Sequence, residues 1–177
     1  RVAFTLHKEN GFPVVIIRPF NSYGPRYTEP YIIPEILSQV LNGNKQLTLG
    51  NIEATRDFTY VSDTADAIIR SIDAKKAIGE IVNVGSGYET SIRDLAFKIA
   101  KIAKKKIKIK YDEGRERPYD VNRLCCNNKK AKNLLGWKPK ISINSGLRKT
   151  FDWATKNRIV FRTPFKRFYY KGLTQKR

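Results

Sequence analysis

Residues 13–26 read PVVIIRPFNSYGPR, and this stretch decides the fold. Its first part, from Pro13 to Arg18, is a short continuous apolar run bounded by prolines. Such a run is typical of a strand that is buried on both faces, as in a parallel sheet. The residues from Pro19 to Pro30 are dense in Asn, Tyr, Gly and Pro, so the pattern predicts that a loop follows the strand.

Helical and strand patterns alternate outward from this stretch. Residues 1–10 read as the end of a helix that Gly11 closes. Ser62 or Asp63 is the expected N-cap of a later helix, and Ser91 with Asp94 resembles a capping box in its Asp variant. The alternation predicts an α/β fold. Because the parallel strands are too few for a complete doubly wound domain, we expect part of one sheet with a small appended lobe.

The composition excludes several classes of protein. The chain has 177 residues, which suits about one domain, and 41% are hydrophobic, which is enough for a packed core. No run reaches the ~18 apolar residues of a membrane span, and the first ten residues do not resemble a signal peptide. The chain contains no methionine, so we expect an excised portion of a longer protein or a chain that has lost its start.

The net charge is +19, and two segments carry most of it. Residues 98–110 contain seven lysines and no acid, and residues 156–177 contain eight basic residues and no acid. Such segments are either solvated surface or attract phosphates, nucleic acid or acidic lipid.

The sequence offers no residues for catalysis or metal binding. It has no GxGxxG motif, no P-loop, no GxSxG motif, no HExxH motif and no tyrosine followed four residues later by lysine. The single histidine, His7, lies in an ordinary polar helix. Cys125 and Cys126 are adjacent and unpaired, which excludes a zinc site and suits a reducing cytoplasm. We therefore predict no catalytic residue and no metal ligand in this chain.

Arginines are grouped in the predicted loops beside the strand ends. Arg56 opens a strand, and Arg115, Arg117 and Arg123 share a loop with Asp120. Guanidinium groups bind phosphate through two parallel hydrogen bonds, and ligands of open α/β sheets collect at the carboxyl ends of the strands. The residues alone therefore predict a site for an anion, without identifying it.

Five segments, in this order along the chain, carry a resemblance to a known family: 18–26 (RPFNSYGPR), 49–63 (LGNIEATRDFTYVSD), 83–92 (NVGSGYETSI), 117–121 (RPYDV) and 130–139 (KAKNLLGWKP). They resemble the motifs RPxNxYGP, G…RDFxYVxD, N[VI]GSGxxxSI, RPGDV and KAxxxLGWxP of the extended short-chain dehydrogenase/reductase (SDR) family. Its members are NAD-dependent nucleotide-sugar epimerases and dehydratases. The nearest resemblance is to nucleotide-sugar 4,6-dehydratases that act on N-acetylglucosamine nucleotides.

The resemblance implies an architecture and a missing half. It implies the carboxyl-terminal part of a Rossmann-type parallel sheet plus the small α/β substrate-binding lobe of an extended SDR. Residues 1–30 would end the Rossmann-type domain, residues 31–157 would form the lobe with returning Rossmann elements, and residues 158–177 would be a basic aromatic tail. In the family the NAD loop and the YxxxK pair precede the RPxNxYGP segment. We therefore expect this chain alone to be inactive and to need a Rossmann half in the same or a separate chain.

The resemblance also implies a role for individual residues. Pro19 would lie against the nicotinamide end of NAD, and Asn21 would contact the substrate near its phosphate or sugar. Leu49 would pack on the base. Arg56 and Arg117 would bind the diphosphate, and Asp120 would accept hydrogen bonds from the ribose hydroxyls.

The expected function is therefore the nucleotide-sugar-binding half of an NAD-dependent 4,6-dehydratase that acts on a UDP- or GDP-hexose. One alternative is half of a UDP-sugar 4-epimerase. An alternative of another class is a non-catalytic basic module that binds nucleic acid through the aromatic and basic tail. We expect the completed enzyme to be a cytoplasmic homodimer without a membrane anchor.

Overall fold

The computed structural model describes residues 1–26, 31–116 and 119–157. In these residues the helices are α1 (Val2–Asn10), α2 (Ile32–Leu41), α3 (Val61–Ile72), α4 (Ile92–Ile102), α5 (Lys129–Leu135) and α6 (Ile143–Lys156). The strands are β1 (Ile16–Pro19), β2 (Ser22–Tyr23), β3 (Gln46–Leu49), β4 (Thr55–Asp57), β5 (Thr59–Tyr60), β6 (Ile81–Val84), β7 (Glu89–Ser91), β8 (Lys108–Tyr111) and β9 (Arg123–Leu124). The mixed order and the parallel pairs confirm the α/β class. The predicted division at residues 30 and 157 stays a prediction.

The apolar run at the start of the deciding stretch forms β1, which pairs in parallel with β6 so that Ile16 lies opposite Ile81 and Pro19 opposite Val84. Within the described residues, β1 has no strand on its other edge. Ile16 and Ile17 are only half-buried, and α1 buries none of its residues. The prediction of a strand buried on both faces is therefore wrong for this chain, because too little sheet and too few helices surround β1.

The larger core lies between α2, α4 and α6. Leu37, Leu95 and Leu147 contribute one side chain from each helix, and all three are almost fully buried. Burial of such a side chain stabilises the fold by roughly 1.5–3 kcal/mol. The predicted cap of α4 is confirmed, because the Ser91 hydroxyl accepts a hydrogen bond from the Asp94 N–H at 2.9 Å.

Helix α3 lacks the N-cap that the sequence predicted. It begins at Val61 without a side-chain cap, and Asp63 is instead buried within it. The Asp63 carboxylate accepts hydrogen bonds from the backbone N–H groups of Lys140 and Ile141, at 3.0 and 2.9 Å. This long-range contact turns the polar start of α3 inward. Its isoleucines remain at the surface, with exposed fractions of 49% (Ile68), 64% (Ile69) and 77% (Ile72).

A small three-stranded sheet places Arg56 and Asp57, at the end of β4, between two neighbouring strands. Strand β4 is central, antiparallel to β7 and parallel to β9, so that Arg56 lies opposite Thr90 and Leu124. Strand β2 runs in parallel with β5 and brings the loop after β1 beside the residues that follow β4. None of the described helices is long and apolar enough to cross a membrane.

Candidate functional site

A cavity of about 500 Å³ opens at the carboxyl end of β1. The loop that follows this strand lines one side, including Pro19 and Asn21, and Tyr31 at the start of α2 lines another. Pro19 is exposed there, at the end of its strand. The cavity therefore lies where open α/β sheets collect their ligands.

Tyr23 forms part of the cavity wall and has a structural role. Its hydroxyl donates to the Ile143 carbonyl at 3.3 Å, and its ring meets those of Phe58 and Tyr60 edge-on. Burial, together with the neighbouring Tyr60 and Asp63, holds the pKa of Tyr23 far above its ordinary value. The phenol stays protonated at neutral pH, so it packs against the neighbouring elements and does not act as a base.

Asn21 connects this cavity to strand β4. Its side-chain amide donates a hydrogen bond to the backbone carbonyl of Asp57 at 3.2 Å, and its backbone carbonyl accepts from the Thr59 N–H at 3.1 Å. Asn21 thus connects the loop after β1 to the end of β4.

Arg56 is held in place by three hydrogen bonds. Its guanidinium donates to the carboxylate of Asp120 at 2.6 Å and to the backbone carbonyls of Thr55 and Val121 at 2.7 and 2.5 Å. The side chains of Arg56 and Asp120 are 15% and 23% exposed, so the pair is only partly in contact with solvent. A guanidinium has five N–H donors, and these contacts leave donors for a further anion. Two of the residues predicted to bind substrate therefore form a preset pair.

Asp57, to which sequence reasoning assigned no role, is buried with both carboxylate oxygens hydrogen-bonded. It is 0% exposed and accepts four hydrogen bonds: from the N–H and hydroxyl of Ser86 (2.7 and 2.6 Å), from the Gly87 N–H (2.8 Å) and from the Cys126 N–H (3.1 Å). Its hydrogen-bond partners are distant in sequence. Locally, the sequence shows only an acid between Arg56 and Phe58, which does not predict this network.

Arg115 and Arg123, two further arginines that the sequence groups with Arg117, are paired with acids. Arg123 forms a two-pronged ion pair with Glu89, and this contact holds the pKa of the Glu89 carboxyl below its ordinary value. Arg115 pairs with Glu35 and, at 3.2 Å, with Asp112. Arg123 thus joins β9 to β7, and Arg115 joins its loop to α2. Both side chains are more exposed than that of Arg56, at 77% and 30% against 15%.

The remaining predicted site residues are placed differently. Leu49 ends β3 with a fully buried side chain in the larger core, and its carbonyl accepts from the Asp112 N–H at 2.9 Å. Arg117 lies outside the described residues. The structure therefore places Pro19 and Asn21 in the cavity wall and pairs Arg56 with Asp120, and the Asn21 amide joins the two groups only through the backbone carbonyl of Asp57. Leu49 lies apart from both in the core. The roles given to all six residues stay predictions.

The described residues contain no group of histidine, cysteine, aspartate and glutamate side chains that could hold a metal ion. The lysines at 98–110 end α4 and continue into β8, and among the described ion pairs none involves them. The basic aromatic tail at 158–177 lies outside the described residues.

Comparison with known proteins identifies the family of this chain. Residues 1–150 match the family model described as GDP-mannose 4,6 dehydratase. The chain belongs to this family of NAD-dependent nucleotide-sugar dehydratases and epimerases, the extended SDRs.

Curated relatives catalyse several reactions. The chain is 36% identical over 157 residues to the UDP-N-acetyl-alpha-D-glucosaminuronate decarboxylase of Bacillus cytotoxicus, covering 81% of this chain and 46% of the relative. It is 32% identical over 151 residues to the dTDP-D-glucose 4,6-dehydratase of Mus musculus, covering 82% of this chain and 42% of the relative. The chain thus spans about half the length of the curated relatives it matches.

Solved structures are similar over the same half. An epimerase of Methanothermobacter thermautotrophicus has a TM-score of 0.83 at 29% identity, with 91% of this chain and 48% of the epimerase covered. The UDP-glucuronic acid 4-epimerase of Bacillus cereus, solved with UDP-glucuronic acid and NAD, has a TM-score of 0.80 at 30% identity, with 88% and 49% covered. The Rossmann-type class predicted from the sequence is confirmed.

Proposed function

We propose that this chain is the nucleotide-sugar-binding half of an NAD-dependent sugar-nucleotide 4,6-dehydratase. The observation that carries the proposal is the Arg56–Asp120 pair, fixed at 2.6 Å beside the central strand of a small sheet. The next residue, Asp57, accepts through its backbone carbonyl from Asn21, which lines a cavity of about 500 Å³. A guanidinium beside a carboxylate offers donors for a diphosphate and acceptors for ribose hydroxyls within one site.

Each residue of the site then has a binding role. Arg56 binds the diphosphate and Asp120 accepts from the ribose, while Asn21 contacts the sugar or its phosphate. We extend the proposal to Arg117 as a second diphosphate ligand and to Leu49 as support beneath the base. These groups orient the hexose, and orientation contributes to rate by holding the reacting carbon near the cofactor and the base.

In this proposal the chain contacts only the nicotinamide end of NAD. It supplies the redox chemistry when bound, and Pro19, at the exposed end of β1, would lie against its nicotinamide. The turn at Gly85-Ser86-Gly87 cannot hold its pyrophosphate, because the Ser86 and Gly87 N–H groups already donate to Asp57. The pyrophosphate therefore needs a glycine-rich loop outside this chain.

A Rossmann half, in the same or a separate chain, completes the enzyme in this proposal. Two surfaces support it: the free edge of β1 within the described residues, and the exposed isoleucines of α3. A strand edge and an apolar helix face are both costly to leave in water. The 177 residues alone should then show no turnover of a nucleotide sugar, and measurable turnover would contradict the proposal.

The reaction type is tested by the product. A 4-epimerase half is the alternative, since the matched structures include 4-epimerases of UDP-glucuronic acid and UDP-glucose. The chain, completed by a Rossmann half, is incubated with UDP-N-acetylglucosamine and separately with GDP-mannose, and the products are identified by NMR. A 6-deoxy-4-keto sugar is the expected product. A 4-epimer without that product would contradict the dehydratase assignment and leave the nucleotide-sugar site in place.

A further inference from the structure

The turn after β6 is built around an internal anion. Gly85-Ser86-Gly87 looks like a phosphate-binding glycine turn, yet the Asp57 carboxylate occupies its N–H groups at 2.7 and 2.8 Å. A Cβ at position 85 would lie 2.3 Å from the Cys126 Cβ and 3.0 Å from an Asp57 oxygen, and Gly87 has a φ of +81°. Gly85 therefore allows the close approach of the chain to Cys126 and Asp57, and Gly87 allows the sharp turn around this carboxylate.

Both oxygens of Asp57 must be acceptors. One oxygen accepts from the N–H and hydroxyl of Ser86, and the other accepts from the N–H groups of Gly87 and Cys126. An asparagine would direct its NH₂ group at one or two backbone N–H donors, whichever way the amide is turned. The site therefore requires a carboxylate, and not merely a polar side chain of the same shape.

This carboxylate fixes the residues on either side of it. Arg56 precedes it in β4 and binds Asp120, and the backbone carbonyl of Asp57 accepts the Asn21 amide at 3.2 Å. When the end of β4 is tied to the turn after β6 and to Cys126 after β9, the directions of Arg56 and Asn21 are set together.

We propose that Asp57 is a positioning residue: held by the Ser86–Gly87 turn and the Cys126 N–H, it aims Arg56 and Asn21 at the diphosphate and sugar of the substrate. This role rests on the proposed function. Asp57 itself does not touch the substrate, since it has no exposed surface and its four bonds are internal.

The test compares Asp57→Asn with Asp63→Asn in the chain completed by its Rossmann half. Asp63 is a matched control, because it is also buried and accepts two backbone N–H groups, from Lys140 and Ile141, but has no described contact with Arg56 or Asn21. UDP-N-acetylglucosamine is titrated by calorimetry at temperatures where each variant is folded. Both variants should lower the melting temperature, but only Asp57→Asn should weaken binding, by at least tenfold. An equal loss for the two variants, or a change below twofold for Asp57→Asn, would overturn the proposal.

Two further measurements keep the proposal testable if Asp57→Asn does not fold. Ser86→Ala removes one of the four bonds, the hydroxyl at 2.6 Å, and should weaken binding by about two- to fivefold. The double variant Arg56→Ala with Ser86→Ala should bind no worse than Arg56→Ala alone, because the effect passes through Arg56. Losses that multiply would show that the turn acts independently of Arg56, against the proposal.

An NMR signal separates this proposal from the function on which it rests. The Arg56 Nε–H resonance should shift in Ser86→Ala and remain in place in Asp63→Asn, with no ligand present. If the unmodified protein does not bind UDP-N-acetylglucosamine or GDP-mannose, the proposed function is wrong, while the Arg56 signal still decides the positioning. An unmoved Arg56 resonance in Ser86→Ala would overturn the positioning role whatever binds.

Discussion

At the scale of single residues, burial decides which groups can react. Cys125 is exposed and Cys126 is 5% exposed, although they are neighbours. Burial, the nearby Asp57 charge and Cys125 together raise the pKa of the Cys126 thiol to about 12. Because the thiolate is the nucleophile, this thiol is inert at neutral pH. The sequence predicted unpaired thiols but could not predict which of the two lies beside a buried carboxylate.

Alkylation of the two thiols should therefore differ. With Cys125→Ser, the remaining Cys126 should react with iodoacetamide at a rate that rises about tenfold for each pH unit between pH 7 and 9.5, because its thiolate fraction is still far from saturation. The matched Cys126→Ser variant leaves Cys125, which should react faster at every pH. Mass spectrometry of the native protein measures both rates. A plateau for Cys126 near pH 9 would contradict the assigned pKa.

At the scale of elements, local signals were predictable and long-range ones were not. The Ser91 cap involves only residues 91–94, so the local sequence predicts it, and the structure contains its hydrogen bond. The expected cap at Ser62 or Asp63 is absent, because Asp63 is recruited by backbone groups more than 70 residues away. The Asp57 network was equally invisible, since its partners come from three separate segments. Pattern reasoning therefore predicted most helices but not what holds the candidate site.

The contact between the loop after β1 and helix α6 illustrates such a long-range constraint. A Cβ added at Gly146 would lie 2.1 Å from the Tyr23 hydroxyl and 2.9 Å from the Tyr60 ring. Helix propensity favours alanine over glycine by about 1 kcal/mol, but overpacking costs roughly 1–3 kcal/mol. The approach is so close that we expect the clash to dominate.

Gly146→Ala should accordingly lower the melting temperature by several degrees, at about 2–4 °C for each kcal/mol in a chain of this size. Asn144→Ala, at an exposed position of the same helix, is the control and should leave stability unchanged or raise it. Adding Tyr23→Phe to Gly146→Ala should restore part of the loss by removing the hydroxyl. Thermal unfolding followed by circular dichroism measures all of these variants. If Gly146→Ala melts at the same temperature as Asn144→Ala, the described packing is wrong.

At the scale of the whole molecule, the apolar surface would contact the proposed Rossmann half, whereas most of the basic surface lies far from Arg56. The isoleucines of α3 and the edge of β1 that is unpaired within the described residues are the surfaces on which the proposed Rossmann half would pack, and the chain spans about half of each relative. The lysines at 98–110 begin within α4 and extend past its end. Helix α4 is 11 residues long, so it spans ~16 Å from the residues beside β7, and hence β4, to its far end. Most of this charge is therefore beyond the ~8 Å Debye length from Arg56.

Substrate recognition by the Arg56–Asp120 site is measured by calorimetric titration of UDP-N-acetylglucosamine into the completed enzyme and its variants. Arg56→Ala and Arg117→Ala should each remove charge-assisted bonds worth roughly 1.5–3 kcal/mol, a loss of about one to two decades in affinity. The control Lys101→Gln, Lys104→Gln, Lys106→Gln removes three charges from the last turn of α4 and the residues just after it, and should change affinity by less than about twofold at 0.15 M salt. Equal losses from the arginine and lysine variants, or unchanged binding in Arg56→Ala, would contradict the claim that this chain recognises its nucleotide sugar through the Arg56–Asp120 site.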